Sequence, residues 1–142
     1  MHKRTRNILI GVLTVVIIGA VFGYFQYTRK NADLSGAKAD IVVSATQLFR
    51  EFSQNETAAN AKYFNKIINI SGKLKSIDKD HSGTVSLSLD AGDPINGVSC
   101  ELDPRHVSDA QQVHAGDSVT VTGTCAGLLT DVVLSRCAIV KK

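Results

Sequence analysis

The chain has 142 residues, which is enough for one domain and one additional segment. Its sixteen Lys and Arg residues and thirteen Asp and Glu residues give a formal charge of +3. Five basic residues flank the first apolar run, so the rest of the chain is net acidic, at about −2. A nucleic-acid-binding domain usually presents a basic patch, and this distribution argues against one. The five flanking residues are Lys3, Arg4, Arg6, Arg29 and Lys30.

The first feature of the chain is an uncharged apolar run from Ile8 to Phe25. As a helix its eighteen residues would span about 27 Å, close to the ~30 Å hydrocarbon core of a bilayer. A cleaved signal peptide is the alternative, but its apolar core is usually shorter and is followed directly by a small-x-small cleavage site. The first such site here, Ala37–Ala39, lies well downstream. We therefore predict that residues 1–30 form an uncleaved transmembrane anchor, with residues 8–25 in the membrane.

The flanking charges predict the orientation of this anchor. Three basic residues precede the run and two follow it, so the N-terminus is expected inside and the remainder of the chain outside the cytoplasm. Gly19 and Gly23 have the small-xxx-small spacing that lets two membrane helices approach closely, which predicts a homodimer through the anchor. The alternative is that glycine is simply common in membrane helices.

Two short segments separate the anchor from the main domain. Residues 31–43 are small and polar and are predicted to be a tether. Residues 44–66 are predicted to be a helical lead-in of two helices, with Ser44 and Asn55 as N-caps. The apolar residues expected to pack against the domain are Val43, Leu48, Phe49, Phe52, Tyr63 and Phe64.

From Ile67 the apolar period changes from 3.6 to 2, which predicts strands. The alternation slips between Leu74 and Ile77, which indicates a β-bulge. A short helical pattern follows Pro104. The alternating apolar residues of the first three strands are Ile68, Ile70, Leu74, Val85, Leu87, Leu89, Val98, Cys100 and Leu102.

The last quarter of the chain predicts a closing hairpin. Val119 and Val121 alternate with a row of hydroxyl residues that we expect to be exposed, and a second β-branched run extends from Asp131 to Val140. The order is three strands, a short helix and two strands, so residues 67–142 predict a mainly β, five-stranded Greek-key OB-fold barrel with a helix between strands three and four. The hydroxyl residues are Ser118, Thr120, Thr122 and Thr124.

Several segments carry a family resemblance. They are Glu56 with Ala61-Lys62-Tyr63, Ile68-Asn-Ile-Ser-Gly72, Val98-Ser-Cys100, Gly116-Asp-Ser-Val-Thr-Val-Thr-Gly123, and Thr124-Cys-Ala-Gly127 with Asp131-Val-Val-Leu134 and Cys137-Ala-Ile139. With them, the chain resembles the tRNA_anti-like OB-fold proteins, a group of exported bacterial proteins, from about residue 44 to residue 140. The resemblance implies an OB-fold and, together with the anchor, a single-pass protein of the inner membrane whose domain lies in the periplasm. The family name records a fold relation to anticodon-binding domains and does not by itself imply RNA binding.

All three cysteines fall in predicted strands. In an oxidising compartment, Cys125 and Cys137 are the favoured disulfide pair because both belong to the closing hairpin. Cys100 with Cys137 is the rival pairing, since the third and fifth strands of an OB barrel are neighbours. A third interpretation is three small buried residues without a disulfide.

No sequence pattern predicts a catalytic residue, a metal site or a cofactor. No cysteine pair has zinc-finger spacing, and no serine lies in a Gly-x-Ser-x-Gly elbow. Residues 78–83 copy the first half of a calcium loop, but Leu89 stands where a bidentate glutamate is required. We therefore expect this segment to be a hairpin turn, and the protein not to be an enzyme.

The predicted function is a membrane-anchored, extracytoplasmic binding module for a protein, a peptide or a small ligand. Binding is expected on the barrel face or through the loops at 78–83 and 90–97. Nucleic-acid binding is the alternative, but no Phe, Tyr or Trp follows Asn65, so the barrel lacks aromatic residues to stack on bases. A structural envelope protein that dimerises through its anchor is a third possibility.

Overall fold

In the computed structural model, the backbone is described for residues 2–30 and 32–140, and the side chains for 5–28 and 32–140. Asn31 and the flanking side chains Lys3, Arg4, Arg29 and Lys30 lie outside the described residues. The chain divides into two compact units, Met1–Ala32 and Asp33–Lys142.

The first unit is one long helix, α1, from His2 to Lys30. Its segment Thr5–Thr28 has a mean hydropathy of 2.6 and the length needed to cross a membrane, which a signal sequence would share. The Thr14 hydroxyl donates to the Ile10 carbonyl at 2.8 Å, so this polar side chain is satisfied within the helix. Such internal pairing is what a helix in hydrocarbon requires.

The second unit is a closed β-barrel with helices packed against it. The strand order is β1-β2-β3-β4-β6-β5, and β5 also pairs with β2, which closes the barrel. The OB-fold predicted from the sequence is confirmed. Its strands are β1 (Ile41–Ser44), β2 (Ile67–Lys79), β3 (Val85–Asp90), β4 (Gly97–Leu102), β5 (Ser118–Leu128) and β6 (Val132–Ile139); its helices are α2 (Ala45–Gln54), α3 (Glu56–Tyr63) and a 3₁₀ helix (Pro104–Gln112).

The long strand β2 belongs to both halves of the barrel. Its first half, from Ile67 to Lys73, pairs with β5, and its second half pairs with β3. The register shifts between Leu74 and Ser76, which confirms the predicted bulge. A side chain at Gly72 would come within 2.9 Å of the Ala45 Cβ atom, so the close packing of α2 on β2 depends on this glycine.

The strand β1 was not predicted, because it lies partly in the segment assigned to the tether. It pairs in parallel with β2 and places Val43 in the core. Four residues are too few for alternation to reveal a strand. Ser44 then caps α2 by accepting from the Gln47 amide at 3.2 Å, and Asn55 caps α3 by accepting from the Ala58 amide at 3.1 Å.

One expectation about exposure is wrong: Thr122 and Thr124 are buried. The Thr122 hydroxyl donates to the Asn69 side chain, and the Arg136 guanidinium donates to Thr124 at 3.0 Å. Tyr63 is fully buried, and Phe64, although 57% exposed, lies beside Gly127 of β5. The largest fully buried side chains are Tyr63, Phe52, Leu48, Ile68, Ile70, Leu74, Leu87, Leu89, Leu134, Val98, Val121 and Val132.

Candidate functional site

The outward side of β2, β3 and β4 carries two rows of polar side chains. The register aligns Ser76, Ser88 and Ser99 across the three strands, and all three are half-buried. The next row places Asp78, Ser86 and Glu101 side by side. Side chains alternate along a strand, so the same alternation that buries the apolar residues of these strands presents the polar rows to solvent. We call this surface the serine face: Ser76, Asp78, Ser86, Ser88, Asp90, Ser99 and Glu101.

The charge of the serine face is balanced by its surroundings. Its carboxylates are Asp78, Asp90 and Glu101, and the exposed residues of β2 contribute Lys73, Lys75 and Lys79. The Lys75 ammonium donates to the Pro94 carbonyl at 3.2 Å, so it also serves to hold a loop. Because the carboxylates offset the lysines, this surface is not the basic track that follows a nucleic-acid backbone.

The loop between β3 and β4 borders one end of the serine face and is held by carboxylates. Asp93 accepts from the amides of Ile95 at 2.9 Å and Asn96 at 2.7 Å, and these bonds lower its pKa. Asp131, before β6, accepts from the Gly97 amide at 2.9 Å. A recess of about 210 Å³ lies here, lined by Lys75, Ser76, Ser88, Leu89, Ile95, Gly97, Val98 and Asp131.

The loop between β2 and β3 borders the other end. Asp80 accepts from the amides of Ser82 and Thr84, both at 2.9 Å, and from the Ser82 hydroxyl at 2.7 Å. These bonds lower the pKa of Asp80 and direct its carboxylate into its own turn. The segment is therefore built as a hairpin turn. Within the described residues, no cluster of three or more His, Cys, Asp or Glu side chains is arranged to hold a metal ion.

The three cysteines are buried in the core as free thiols. Burial and a hydrogen bond with the Cys100 thiol raise the pKa of Cys137 well above its ordinary value. Burial also raises the pKa of Cys125. The structure thus brings Cys137 beside Cys100. The predicted disulfide between Cys125 and Cys137 stays a prediction.

A charged network joins α2 to α3. Glu51 accepts from the Lys62 ammonium at 2.8 Å, from the Tyr63 hydroxyl at 2.9 Å and from the side-chain amide of Gln47 at 2.9 Å. The bond from Lys62 is the largest of the influences that lower the pKa of Glu51 to about 2. This network holds the two helices together and does not border the serine face.

The predicted dimer contact of the anchor is sterically open. A side chain at Gly19 or Gly23 would meet no atom within 4 Å on the described helix. The helix therefore leaves room for a second helix at these two positions, and the homodimer stays a prediction.

Comparisons with known proteins identify the same fold. The family model described as tRNA_anti-like matches residues 1–139, and no curated protein matches the chain. A crystal structure of a candidate nucleic-acid-binding lipoprotein from Klebsiella pneumoniae is 18% identical, with a TM-score of 0.57, over 70% of this chain and 91% of that chain. A chain of the S. pombe Stn1–Ten1 complex is 18% identical, with a TM-score of 0.39, over 54% of this chain and 59% of that one. A chain of yeast Stn1 and Ten1 is 15% identical, with a TM-score of 0.41, over 76% and 66%.

Proposed function

The chain belongs to the tRNA_anti-like family, and from this premise we propose that it is a membrane-anchored, non-enzymatic OB-fold module that binds its ligand outside the cytoplasm. The long apolar helix α1 is the anchor in this proposal. The serine face is the binding surface, because OB-folds bind ligands on the face of their second and third strands, which are β3 and β4 here. The ligand is a protein, a peptide or a small polar molecule.

The observation that carries this proposal is the chemistry of the serine face. Ser88 and Ser99 are half-buried hydroxyls in register, and Asp78 and Glu101 stand beside them. Hydroxyls and carboxylates form directional hydrogen bonds with polar groups of a partner. The balanced charge of this surface gives no net attraction for polyanions.

Photo-crosslinking from the full-length protein in its native membrane tests the surface. A photoreactive residue is placed at Ser99 and, as the matched control, at the exposed Arg50 of α2. We expect a discrete adduct from position 99 and none of that size from position 50. Equal labelling from the two positions would contradict binding at the serine face.

The side of the membrane on which the barrel lies, and the retention of α1, are tested separately. An alkaline-phosphatase fusion after Lys142 should be active if the barrel lies outside the cytoplasm, because the reporter folds only there. The intact mass of the membrane-extracted protein should retain the N-terminal residues if α1 is an anchor. An inactive fusion with good expression would overturn the orientation, and a shortened chain would identify α1 as a signal sequence.

Nucleic-acid binding is the second candidate. It is favoured by the likeness in fold to the lipoprotein from Klebsiella pneumoniae, which is itself described as a candidate nucleic-acid binder. A fluorescence titration of the full-length protein with a short single strand would detect it. Affinity that falls steeply with salt, and falls further in a Lys73→Ala, Lys75→Ala variant, would favour this candidate over the first.

A further inference from the structure

Asn96 is the one asparagine of the chain that a glycine follows. In such a pair the backbone nitrogen of the glycine can attack the side-chain amide carbon of the asparagine, because glycine has no side chain to hinder the approach. A carbon–nitrogen bond forms, ammonia leaves, and the product is a five-membered succinimide ring. Water then opens the ring at either carbonyl, which yields aspartate or isoaspartate. The Asn96–Gly97 pair is therefore a candidate modification site.

Packing explains the glycine of this pair but not the asparagine. Gly97 begins β4 and pairs with Asp90 at the end of β3. A side chain at position 97 would place its Cβ atom 2.5 Å from the Leu89 carbonyl oxygen, so only glycine fits there. Asn96, by contrast, is half-buried and does not adopt the left-handed backbone conformation that asparagine tolerates better than most residues. Its side chain is thus open to water, and the backbone does not require it.

Two carboxylates hold the backbone amides on either side of the Asn96 side chain. The Asp131 Oδ1 atom accepts from the Gly97 amide at 2.9 Å, and the Asp93 Oδ1 atom accepts from the Asn96 amide at 2.7 Å. Ring closure requires rotation about the bond between the Asn96 Cα and carbonyl carbon atoms, so that the Gly97 nitrogen approaches the side chain. This rotation would break the hydrogen bond with Asp131, and the contact therefore opposes the reaction.

The negative charge of Asp131 opposes the reaction as well. The attacking species is the deprotonated amide nitrogen of Gly97, which carries a negative charge. A carboxylate within hydrogen-bonding distance stabilises the N–H form of this amide and repels its anion. A carboxylate is also far too weak a base to remove an amide proton. Asp131 therefore slows the attack and does not assist it as a general base.

We propose that Asn96 is converted to aspartate and isoaspartate without an enzyme, and that the contact between Asp131 and Gly97 sets the rate. The reaction proceeds from the fraction of molecules in which this contact is open, because loops open more readily than the strands of a core. Water is the only co-reactant. Isoaspartate adds one carbon atom to the backbone directly before β4, which disturbs the pairing of Gly97 with Asp90. The loop that borders the serine face thus changes as the protein ages, whatever ligand that face binds.

The test follows the full-length protein in detergent at mildly alkaline pH, both folded and unfolded in guanidinium chloride. The tryptic peptide 80–105 contains Asn96 as its only asparagine and contains no glutamine, so the mass of this peptide reports the conversion directly. Enzymatic methylation of isoaspartate identifies the second product. We expect the folded protein to convert more slowly than the unfolded chain. The ratio of the two rates should match the protection of the Gly97 amide in hydrogen exchange, because both processes need the same opening.

Two variants assign the effect to Asp131. Asp131→Ala should convert at least about tenfold faster than the wild type under folding conditions, because a hydrogen bond to a charged group is lost. Asp117→Ala is the matched control, since Asp117 is also a turn carboxylate and accepts from the His114 amide at 2.9 Å. It should leave the rate unchanged. Cooperative melting verifies that both variants fold.

The proposal is overturned if Asn96 stays unchanged in the folded Asp131→Ala protein, or if that variant converts no faster than the wild type. It is also overturned if the folded wild type converts faster than the exchange of its Gly97 amide allows. If Asp131→Ala does not fold, this comparison on the wild type decides alone. Loss of crosslinking at the serine face would leave these results unaffected.

Discussion

The His106 Nε2 atom lies 2.8 Å from the Asp33 Oδ1 atom, although 73 residues separate the two in the chain. The other ring nitrogen of His106 lies 3.3 Å from Asp109. The contact between Asp33 and His106 attaches the first residue of the second unit to the 3₁₀ helix. The next residue, Leu34, is buried. The part of the predicted tether that follows Asp33 is thus fixed to the barrel at both ends, since Asp40 also accepts from the Ile67 amide.

Replacing His106 with asparagine should release this segment. The hydrogen bond with Asp33 raises the pKa of His106, while a Ser35 amide bond and then the His106 bond lower that of Asp33 to about 2. The charged His106–Asp33 contact therefore stabilises the segment fully below the unfolded His106 pKa of about 6.5. This stabilisation is lost as pH rises through the higher pKa of His106 in the folded protein. We expect faster tryptic cleavage after Lys38 in the variant, and increasing cleavage of the wild type at alkaline pH.

His114→Asn is the matched control for that experiment, because the His114 side chain is 82% exposed. It should leave cleavage after Lys38 unchanged at every pH. Equal cleavage of the His106 variant and the wild type in mildly acidic solution would mean that the segment is held by other contacts.

Replacing Glu51 with glutamine should lower the stability of the protein at neutral pH and make that stability depend less on pH. The bond from Lys62 is first among those that lower the pKa of Glu51 from 4.5 to about 2. The lowered pKa of Glu51 stabilises the folded protein at pH values above 4.5, the pKa of this carboxyl in the unfolded chain. This stabilisation is lost as pH falls toward 2. We expect the variant to lose about 1–2 kcal/mol at neutral pH and to vary less with pH in this window. Urea unfolding at several pH values measures both effects, and Glu101→Gln, at an exposed carboxylate, serves as the control.

Replacing Gly123 with alanine should strain the core. The new Cβ atom would lie 2.5 Å from the Cys137 sulfur and 3.3 Å from the Ser135 carbonyl oxygen. Overpacking of this kind typically costs about 1–3 kcal/mol. Gly36→Ala, with no atom within 4 Å, is the control. Combining Gly123→Ala with Cys137→Ala should restore part of the loss in a double-mutant cycle; additive costs would mean that the sulfur is not the obstacle.

Oxidation of the thiols should favour one pairing. Cys100 and Cys137 lie on the neighbouring strands β4 and β6, and the Cys100 thiol is close enough to contribute to the raised pKa of Cys137. We expect any disulfide to join Cys100 to Cys137, and to form slowly because Cys137 is buried. Peptide mass mapping without reduction distinguishes this bond from Cys125 with Cys137, whose detection would contradict the expectation.

Larger side chains at Gly19 and Gly23 should separate a dimer held by the anchor. We expect Gly19→Leu, Gly23→Leu to reduce crosslinked dimer in native membranes, because close helix approach requires small residues. Gly11→Leu is the matched control, since Gly11 is equally open on the same helix. Identical crosslinking of the three proteins would assign the glycines no role in association.

Local signals in the sequence identified most of the elements. The length of the apolar run predicted α1, period-two alternation predicted β2 to β6, and Ser44 and Asn55 marked the starts of α2 and α3. The order of these elements led to the OB-fold, and a slip in the alternation placed the bulge of β2. Each of these depends on residues that are near one another in the chain, so it could be recognised without knowing their neighbours in space.

The tertiary structure alone decided which distant residues meet. The serine face depends on the register of three strands, and the attachment of residues 33–40 to the barrel depends on a contact between Asp33 and His106. The burial of Thr122 and the exposure of Phe64 likewise follow from packing that alternation and helical spacing do not describe. Register and strand neighbours are set by the combined packing of the whole core, so no short stretch of sequence contains them.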